Sequence, residues 1–415
     1  MRFATFGCWN NSNNTKDENK PYFNDVIDTF NRLDKDSTDF VVVTGDNYYP
    51  KKIKTDKGKY SVFDDTHFSN GFNKLKSIEK KVYLLMGNHD LQYENWEKPK
   101  EPKEPKEPKE LKETEETSLV NPDKCHIINK IITESNSIPN IDIKTKIFIE
   151  ENNLFIFLNT NYFDTSIKME DCNSIYENEQ EKQEEKGKTE QEEKQDEEGK
   201  MMEYIKKIKS DINKKIKSDN SNIQNVFIFG HHPIYASKQK TTETPKEIKI
   251  KSQLFNKDGI ELIYDICSEF TTTRVYYICA DVHQYQSSTL EITKDNKTIT
   301  IPQYVVGTGG AKLDDCVADN TVMNRKMYDE FGIKYTRNDD CKTEYGYLSV
   351  FIPGDNKQTE PTFTFTNISD TGNDNMGKKG GTTKKKNKFS KKKHINNSKM
   401  KKRKTRRRKY TKKKH

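Results

Sequence analysis

The chain has 415 residues, a formal net charge of +8 and 31% hydrophobic residues. The last 38 residues, 378–415, contribute +21 through Lys and Arg and contain no acidic residue, so the rest of the chain carries −13. A mildly acidic body with a strongly basic tail excludes a uniformly basic protein and indicates a folded domain with an appended segment.

The cysteines and the apolar stretches bear on where the protein works. Seven cysteines form an odd number without regular spacing, which excludes a disulfide framework and favours unpaired thiols in a reducing compartment. No apolar stretch approaches the ~20 residues that span a bilayer, and residues 1–7 have the pattern of a strand rather than of a signal peptide. We therefore expect a soluble intracellular protein without a membrane partner.

The first part of the chain alternates strands with a helix. Residues 1–7 and 40–43 are short apolar runs that predict buried strands, and residues 22–33 between them have apolar side chains at helical spacing. This β-α-β unit predicts a parallel strand pair with a right-handed crossover. Residues 81–86 and 154–158 predict two further buried strands.

The second part continues this alternation and suggests one large domain. Helices are predicted at 201–217 and 259–270, strands at 226–229, 274–279, 289–293, 299–306 and 345–352, and a glycine-rich turn at 307–310. The pattern as a whole predicts an α/β domain over residues 1–371.

Three segments have compositions that do not favour packing. Residues 97–117 are a Lys-Pro-Glu repeat and residues 177–200 are dominated by Glu, Gln and Lys, so both are predicted to be disordered, solvated insertions. The basic tail, residues 372–415, is predicted to be disordered as well. Its Lys and Arg side chains fit a tether for nucleic acid or polyphosphate, a localisation signal, or a solvated appendage.

Metal-capable side chains follow the predicted strands at five places. They are Cys8, Asp46 with Tyr49, Asn88 with His89, His231 with His232, and Asp281 with His283. Open α/β sheets place their sites at the carboxyl ends of strands, and a bridging carboxylate can hold two metal ions about 3.5–4 Å apart. The sequence therefore predicts a dinuclear site at which a metal-activated hydroxide attacks phosphorus.

Three of these motifs resemble those of the calcineurin-like metallophosphoesterases. They are Gly-Asp-Asn-Tyr-Tyr at 45–49, Gly-Asn-His-Asp at 87–90 and Gly-His-His-Pro at 230–233, in that order. Tyr49, three residues after Asp46, is similar to the tyrosine of the purple, or tartrate-resistant, acid phosphatase branch. The resemblance extends over residues 1–366 outside the charged insertions. It implies a four-layer sandwich of two central mixed sheets flanked by helices, and hydrolysis of phosphate monoesters.

The resemblance also implies roles for individual residues. The implied metal ligands are Asp46 as a bridge between two ions, Tyr49 and His283 on a ferric ion, and Asn88 and His231 on a divalent ion. Iron paired with zinc, manganese or a second iron is thus the expected cofactor. His89 would protonate the leaving alkoxide or steady the phosphoryl group, and His232 would contact the substrate phosphate.

Two positions depart from the pattern of the family. Cys8 stands where the family has an aspartate, and Asp281 stands where it has a histidine. A thiolate is softer than a carboxylate and favours zinc or ferrous iron, whereas a carboxylate at 281 makes the second position harder. Taken singly, Cys8 also fits a small buried hydrophobic residue and Tyr49 a core aromatic residue.

The altered ligands leave an alternative of another class open. It is a catalytically impaired phosphatase fold that serves as a binding or virion scaffold and binds nucleic acid through its tail. For the enzyme, the expected substrate is a phosphorylated small molecule or a phosphoprotein. The tail, a Gly-Gly pair followed by a Lys- and Arg-rich run, resembles in composition the tails of giant-virus proteins, which implies the host cytoplasm or the virion.

Overall fold

The computed structural model describes residues 1–17, 20–55, 58–91, 125–164, 190–219, 222–241, 248–317, 323–328, 331–354 and 360–369. The predicted insertion 97–117, residues 177–189 of the second insertion and the basic tail 372–415 lie outside these residues. Contacts divide the chain into two units, Met1–Gly372 and Asn373–His415. The fold described below belongs to the first unit.

The described elements are numbered in chain order. The helices are α1 (Tyr22–Leu33), α2 (Asp65–Lys76), α3 (Asn88–Leu91), α4 (His126–Ser137), α5 (Glu190–Asp219) and α6 (Lys257–Glu269). The strands are β1 (Arg2–Phe6), β2 (Thr15–Asp17), β3 (Lys20–Pro21), β4 (Phe40–Val43), β5 (Lys51–Thr55), β6 (Gly58–Val62), β7 (Lys81–Leu84), β8 (Ile141–Asp142), β9 (Ile147–Glu150), β10 (Asn153–Phe157), β11 (Asn225–Phe229), β12 (Tyr235–Thr241), β13 (Ile248–Leu254), β14 (Arg274–Cys279), β15 (Tyr285–Lys294), β16 (Lys297–Val306), β17 (Met323–Tyr328), β18 (Phe331–Lys342), β19 (Gly346–Phe351) and β20 (Thr362–Asn367). Short 3-10 helices occupy Lys35–Ser37 and Thr160–Phe163.

The first large sheet has six strands in the spatial order β20-β19-β1-β4-β7-β8. Strands β1, β4, β7 and β8 run parallel to one another, β19 pairs antiparallel with β1, and β20 pairs antiparallel with β19. The predicted β-α-β unit is confirmed, because β1 and β4 pair in parallel and α1 connects them with the predicted bounds. The parallel arrangement brings the carboxyl ends of β1, β4 and β7 to the same edge.

The second large sheet has eight strands in the order β17-β18-β15-β16-β14-β11-β10-β9. Its centre, from β10 through β11 and β14 to β16, is parallel. Both ends of the sheet are antiparallel. The carboxyl ends of β10, β11 and β14 therefore also share one edge.

The two sheets face each other across an aromatic core. Phe3 and Phe40 of the first sheet pack against Phe155 and Phe227 of the second, with ring centroids 5.2–5.8 Å apart. Apolar side chains of α1, α2 and α4 are buried in one cluster with the outer face of the first sheet, and those of α5 and α6 with the second. The predicted four-layer sandwich of two mixed sheets between helices is thus confirmed.

Helix α5 begins earlier than the sequence pattern predicts. Residues 190–200, assigned to a disordered insertion, are the first turns of a helix that continues through the predicted segment 201–217. Glu, Gln and Lys have high intrinsic helix propensity, and Met201, Tyr204 and Ile208 anchor the following turns in the core. A composition that cannot form a core of its own therefore extends a helix that is anchored elsewhere.

The prediction of unpaired cysteines is wrong for Cys316 and Cys341, which form a disulfide across a sequence separation of 25 residues. Cys125 is disulfide-bonded as well. The spacing did not reveal the first pair because β17 and β18, which were not predicted, return the chain to the loop that carries Cys316. Cys8, Cys267 and Cys279 are free and buried. The bonded cysteines therefore do not support a reducing compartment.

Removing this disulfide should destabilise the domain. We expect a Cys316→Ser, Cys341→Ser double variant to lose about 3 kcal/mol of unfolding free energy, because a closed loop of this length restricts the unfolded chain. Urea unfolding under non-reducing conditions measures the change. Equal midpoints for the variant and the wild type would contradict the expectation.

None of the helices in the described ranges is long and apolar enough to cross a membrane.

Candidate metal centre

All nine predicted site residues follow the carboxyl ends of strands that meet at one edge of the sandwich. Cys8 follows β1, Asp46 and Tyr49 follow β4, Asn88 and His89 follow β7, His231 and His232 follow β11, and Asp281 and His283 follow β14. The two sheets touch at this edge: a Cβ atom on Gly7 would lie 2.6 Å from the Cβ atom of Ala280. Loops that are distant in sequence therefore converge on one buried place.

Three of the nine residues have a left-handed backbone conformation. The φ angles are 54° at Cys8, 54° at Asp46 and 57° at Asp281. Non-glycine residues in this region cost about 1–3 kcal/mol each and concentrate at functional sites. The strain is held in place by the fold, since Cys8 N donates to Gly45 O at 2.9 Å. Each of these strand ends turns sharply at the residue that carries the metal-capable group.

Asp46 is the hub of the cluster. Its side chain is 1% exposed. Oδ2 accepts a hydrogen bond from the Tyr49 hydroxyl at 2.6 Å and lies 3.8 Å from Cys8 Sγ. Oδ1 accepts from the backbone N–H of His89 at 3.0 Å and lies 3.2 Å from His231 Nε2. The two carboxylate oxygens therefore face different groups, as a bridging ligand must.

Two imidazoles are oriented by main-chain carbonyls. His231 Nδ1 lies 2.8 Å from Thr44 O, and His283 Nδ1 lies 2.8 Å from Lys312 O. A carbonyl oxygen only accepts, so each Nδ1 carries a proton, and each Nε2 points into the cluster, where it can coordinate a metal ion in the neutral form of the ring. Metal-binding histidines commonly show this arrangement, in which an outer carbonyl fixes the tautomer.

The atoms around these two Nε2 positions are mostly acceptors. His231 Nε2 lies 3.0 Å from Asn88 Oδ1, 3.2 Å from Asp46 Oδ1 and 3.8 Å from Asp281 Oδ1. His283 Nε2 lies 3.1 Å from the Tyr49 oxygen, whose single proton already goes to Asp46. Asp281 Oδ2 is buried without a hydrogen-bond partner. Cations between these atoms would satisfy all of them.

The pKa shifts express the same demand for positive charge. Burial alone would raise the pKa of Asp46, but the positive charges of His231 and His89 lower it well below its ordinary value. Burial would lower the pKa of His231, yet the charge of Asp46 raises it to about 9. A proton on His231 thus takes the place that a metal ion would occupy. Burial and then the charge of Asp46 raise the pKa of both Cys8 and Tyr49, which an ion would reverse.

The two histidines predicted to act on substrate occupy different surroundings. The ring of His89 packs 4.6 Å from the Tyr49 ring, and its Nδ1 is buried without a partner. His232 has Nδ1 3.1 Å from Thr160 Oγ1 and Nε2 3.3 Å from Asp164 Oδ2. Burial and the charge of His231 lower the pKa of His232. His89 therefore lies beside Tyr49 in the predicted metal site, whereas His232 is held by Thr160 and Asp164, which follow β10.

Several supporting residues were not predicted. Thr160 Oγ1 accepts from the backbone N–H groups of both His231 and His232, at 3.0 and 2.9 Å. Asp90 accepts from the N–H of Asn47 at 2.8 Å and from that of Gly87 at 2.8 Å, which ties two strand-end loops together. Thr160 follows a predicted strand and Asp90 belongs to a recognised motif, so position in the chain was the signal that could have found them.

The donor set fits metal ions. Cys8, Asp46 and His231 form one group whose ligand atoms lie within 4.8 Å of one another, and His231, His232 and Asp281 form a second. Thiol, carboxylate and imidazole together are the ligands of borderline divalent ions, and the phenol and amide oxygens beside them suit harder ions. Two adjoining groups that share one histidine are consistent with two neighbouring ions.

Comparison with known proteins agrees with this geometry. A family model described as calcineurin-like phosphoesterase matches residues 1–268, which include the motifs from Cys8 to His232. A search of curated proteins finds no match. Members of the family bind two metal ions. The family model covers more than half of the chain, and the strand ends in the matched residues carry converging candidate ligands. This chain therefore belongs to the calcineurin-like phosphoesterase family.

Proposed function

We propose that this phosphoesterase hydrolyses phosphate monoesters at a dinuclear site of the purple acid phosphatase type. The observation that carries the proposal is the contact of Tyr49 with both Asp46 and His283, at 2.6 and 3.1 Å. A phenol held against a carboxylate and an imidazole is a third ligand for one ion, and it distinguishes this branch from members of the family without the tyrosine.

The residues divide into two sets joined by Asp46. Tyr49 and Cys8 lie at Asp46 Oδ2, and Tyr49 in turn contacts His283. His231 lies at Asp46 Oδ1 and has Asn88 Oδ1 and Asp281 Oδ1 beside its Nε2. Cys8 also lies within 4.8 Å of His231, so it borders both sets. When bound, a pair of ions supplies a hydroxide nucleophile at neutral pH and positive charge for the phosphoryl oxygens. The protein contributes the fixed positions of the ligands, because the buried imidazoles and the strained strand ends cannot rearrange freely.

His89 is the proposed acid for the leaving group. Its backbone N–H donates to Asp46 Oδ1 at 3.0 Å, and its ring packs against the ring of Tyr49. These two contacts keep the imidazole next to Asp46, the proposed bridging ligand. Nδ1 has no partner among the described residues and can hold a proton for the departing alkoxide. His232, fixed by Thr160 and facing Asp164, is proposed to orient the substrate phosphate from the opposite side.

The altered ligands change the preferred metals. Cys8 brings a thiol to the set that contains Tyr49, which favours zinc or ferrous iron there, and Asp281 brings a carboxylate beside His231, which makes that position harder and favours manganese or magnesium. Because burial raises the pKa of Cys8, this thiol coordinates only when an ion displaces its proton. The first position is therefore the one more sensitive to the choice of metal.

Metal analysis combined with turnover tests this function. We expect the purified protein to contain two metal ions per chain, to hydrolyse a chromogenic phosphomonoester faster than the corresponding diester, and to lose activity on chelation. Replacing His89 with Ala should lower kcat by about 10²–10⁴-fold, the usual contribution of a general acid. Metal content should stay the same in this variant, since the ring of His89 is not assigned as a ligand.

Other outcomes would favour the alternative function, a catalytically impaired phosphatase fold that acts as a binding scaffold. A protein without bound metal and without turnover would contradict the proposal. If the native chain is inactive while the Cys8→Asp, Asp281→His variant hydrolyses the ester, the fold is a catalytically impaired one that acts by binding. In that case deletion of residues 378–415, followed by DNA-binding measurements at increasing salt, tests whether the basic tail is the binding segment.

A further inference from the structure

Lys238 is a partly buried cation beside the metal centre. It lies on β12, seven residues after His231, and its side chain is 13% exposed. Its ammonium donates to Asp314 Oδ2 at 3.0 Å. An ammonium has three N–H groups, and the described residues provide no further acceptor for the other two.

Asp314 fixes the ammonium next to His283. The same Oδ2 atom accepts from the backbone N–H of His283 at 3.0 Å, and Asp314 N donates to His283 O at 2.8 Å. The loop that carries Asp314 also provides Lys312 O, which orients the His283 ring. Lys238 is therefore held through one shared oxygen atom beside the residue whose Nε2 faces Tyr49.

The charge of Lys238 responds to the centre as well as to its ion-pair partner. Burial would lower its pKa, but the negative charges of Asp281 and Asp314 raise it above the ordinary value. Asp281 belongs to the cluster that faces His231, so its field reaches the ammonium. A purely structural ion pair explains the bond to Asp314 but assigns no role to the two N–H groups for which the described residues provide no acceptor.

We propose that Lys238, which lies outside the family motifs, is a substrate-binding residue that binds a non-bridging oxygen of the phosphoryl group. The inference rests on the proposed function, because it needs a phosphate at the adjacent ions. An ammonium with two available N–H groups at the edge of a phosphate site forms charge-assisted hydrogen bonds to phosphate oxygens. Asp314 keeps the stem of Lys238 in place so that little ordering is required on binding.

The test is phosphate binding to the metal-loaded, full-length protein. In Lys238→Met, we expect the dissociation constant for inorganic phosphate and the KM for a phosphomonoester to rise about 10- to 100-fold. Metal content, measured by mass spectrometry, should equal that of the wild type. Lys238→Arg keeps the charge and the donors and should recover most of the affinity, which also covers the case in which Lys238→Met folds poorly.

Lys251 provides the matched control. It lies directly opposite Lys238 on β13 and is exposed, so Lys251→Met removes the same charge from the same hairpin. We expect phosphate affinity within about 2-fold of wild type, because exposed charges are screened. An equal loss in both variants would assign the effect to the charge of the hairpin and overturn the inference, as would loss of metal in Lys238→Met.

The two proposals fail differently. A wild-type protein that takes up metal but binds no phosphate contradicts the proposed function, and the role of Lys238 falls with it. A wild-type protein that binds phosphate, together with a Lys238→Met variant of unchanged affinity, overturns the role of Lys238 alone.

Discussion

Replacing Asp46 with Asn should abolish phosphomonoester hydrolysis and leave the purified protein with fewer than two metal ions. Both oxygens of Asp46 are used: Oδ2 faces Tyr49 and Cys8, and Oδ1 faces His231 and the His89 N–H. An amide has nearly the same shape but carries no charge, and its nitrogen cannot coordinate an ion. The variant therefore keeps the packing of the site while it removes the shared negative charge.

The expected fall in kcat is at least about 10³-fold, since loss of a single electrostatic group at an enzyme site already reduces kcat by about 10²–10³-fold. Metal content and steady-state kinetics are measured on the same preparation. Asp265→Asn is the control, because Asp265 is a partly exposed acid that pairs with Lys209 on the outer helices, and such pairs contribute about 0–1 kcal/mol to stability. Wild-type turnover by Asp46→Asn would show that Asp46 is not a bridging ligand.

The pattern of strand ends was predictable because it depends on local sequence. The apolar runs that carry the predicted site residues end close to a Gly or Ala that is followed by polar side chains, and parallel strands place such ends at one edge. The strand at 40–43 was predicted from such a run and the helix at 22–33 from its helical spacing, and both are confirmed. The two sheets then pack face to face, which brings their strand ends together.

The supporting parts of the site were not predictable in the same way. Asp314 lies 31 positions after His283 in the chain and carries no motif, so only the folded loop reveals that it holds His283 and Lys238 together. The hairpin of β12 and β13, which carries Lys238, was not predicted either. Helix α2 was also not predicted, although Phe68, Phe72 and Leu75 have the spacing of a helix and could have indicated it.

Close packing around a glycine of the centre leads to the second prediction. A Cβ atom on Gly87 would lie 2.3 Å from Asp46 N, 2.3 Å from Asp46 Oδ1 and 2.8 Å from His231 Cε1. Two of these atoms belong to proposed metal ligands and the third is backbone. None of them can move aside as the end of a flexible side chain can.

We therefore expect Gly87→Ala to displace Asp46, to abolish stoichiometric metal binding and to reduce turnover at least as strongly as Asp46→Asn. The unfolding free energy should fall by about 1–3 kcal/mol, the usual effect of inserting an atom into a filled interior. Urea unfolding is compared with and without added metal, because a site that has lost its geometry gains no stability from metal.

Gly199→Ala is the matched control for this glycine. Gly199 lies in helix α5, where no atom within 4 Å of the added Cβ would be contacted. The same methyl group should there raise the unfolding free energy by about 0.5–1 kcal/mol, since alanine is the better helix former. A Gly87→Ala variant that retains two metal ions would mean that the loops after β4 and β7 are not packed against each other, and the assignment of Asp46 as the shared ligand would have to be abandoned.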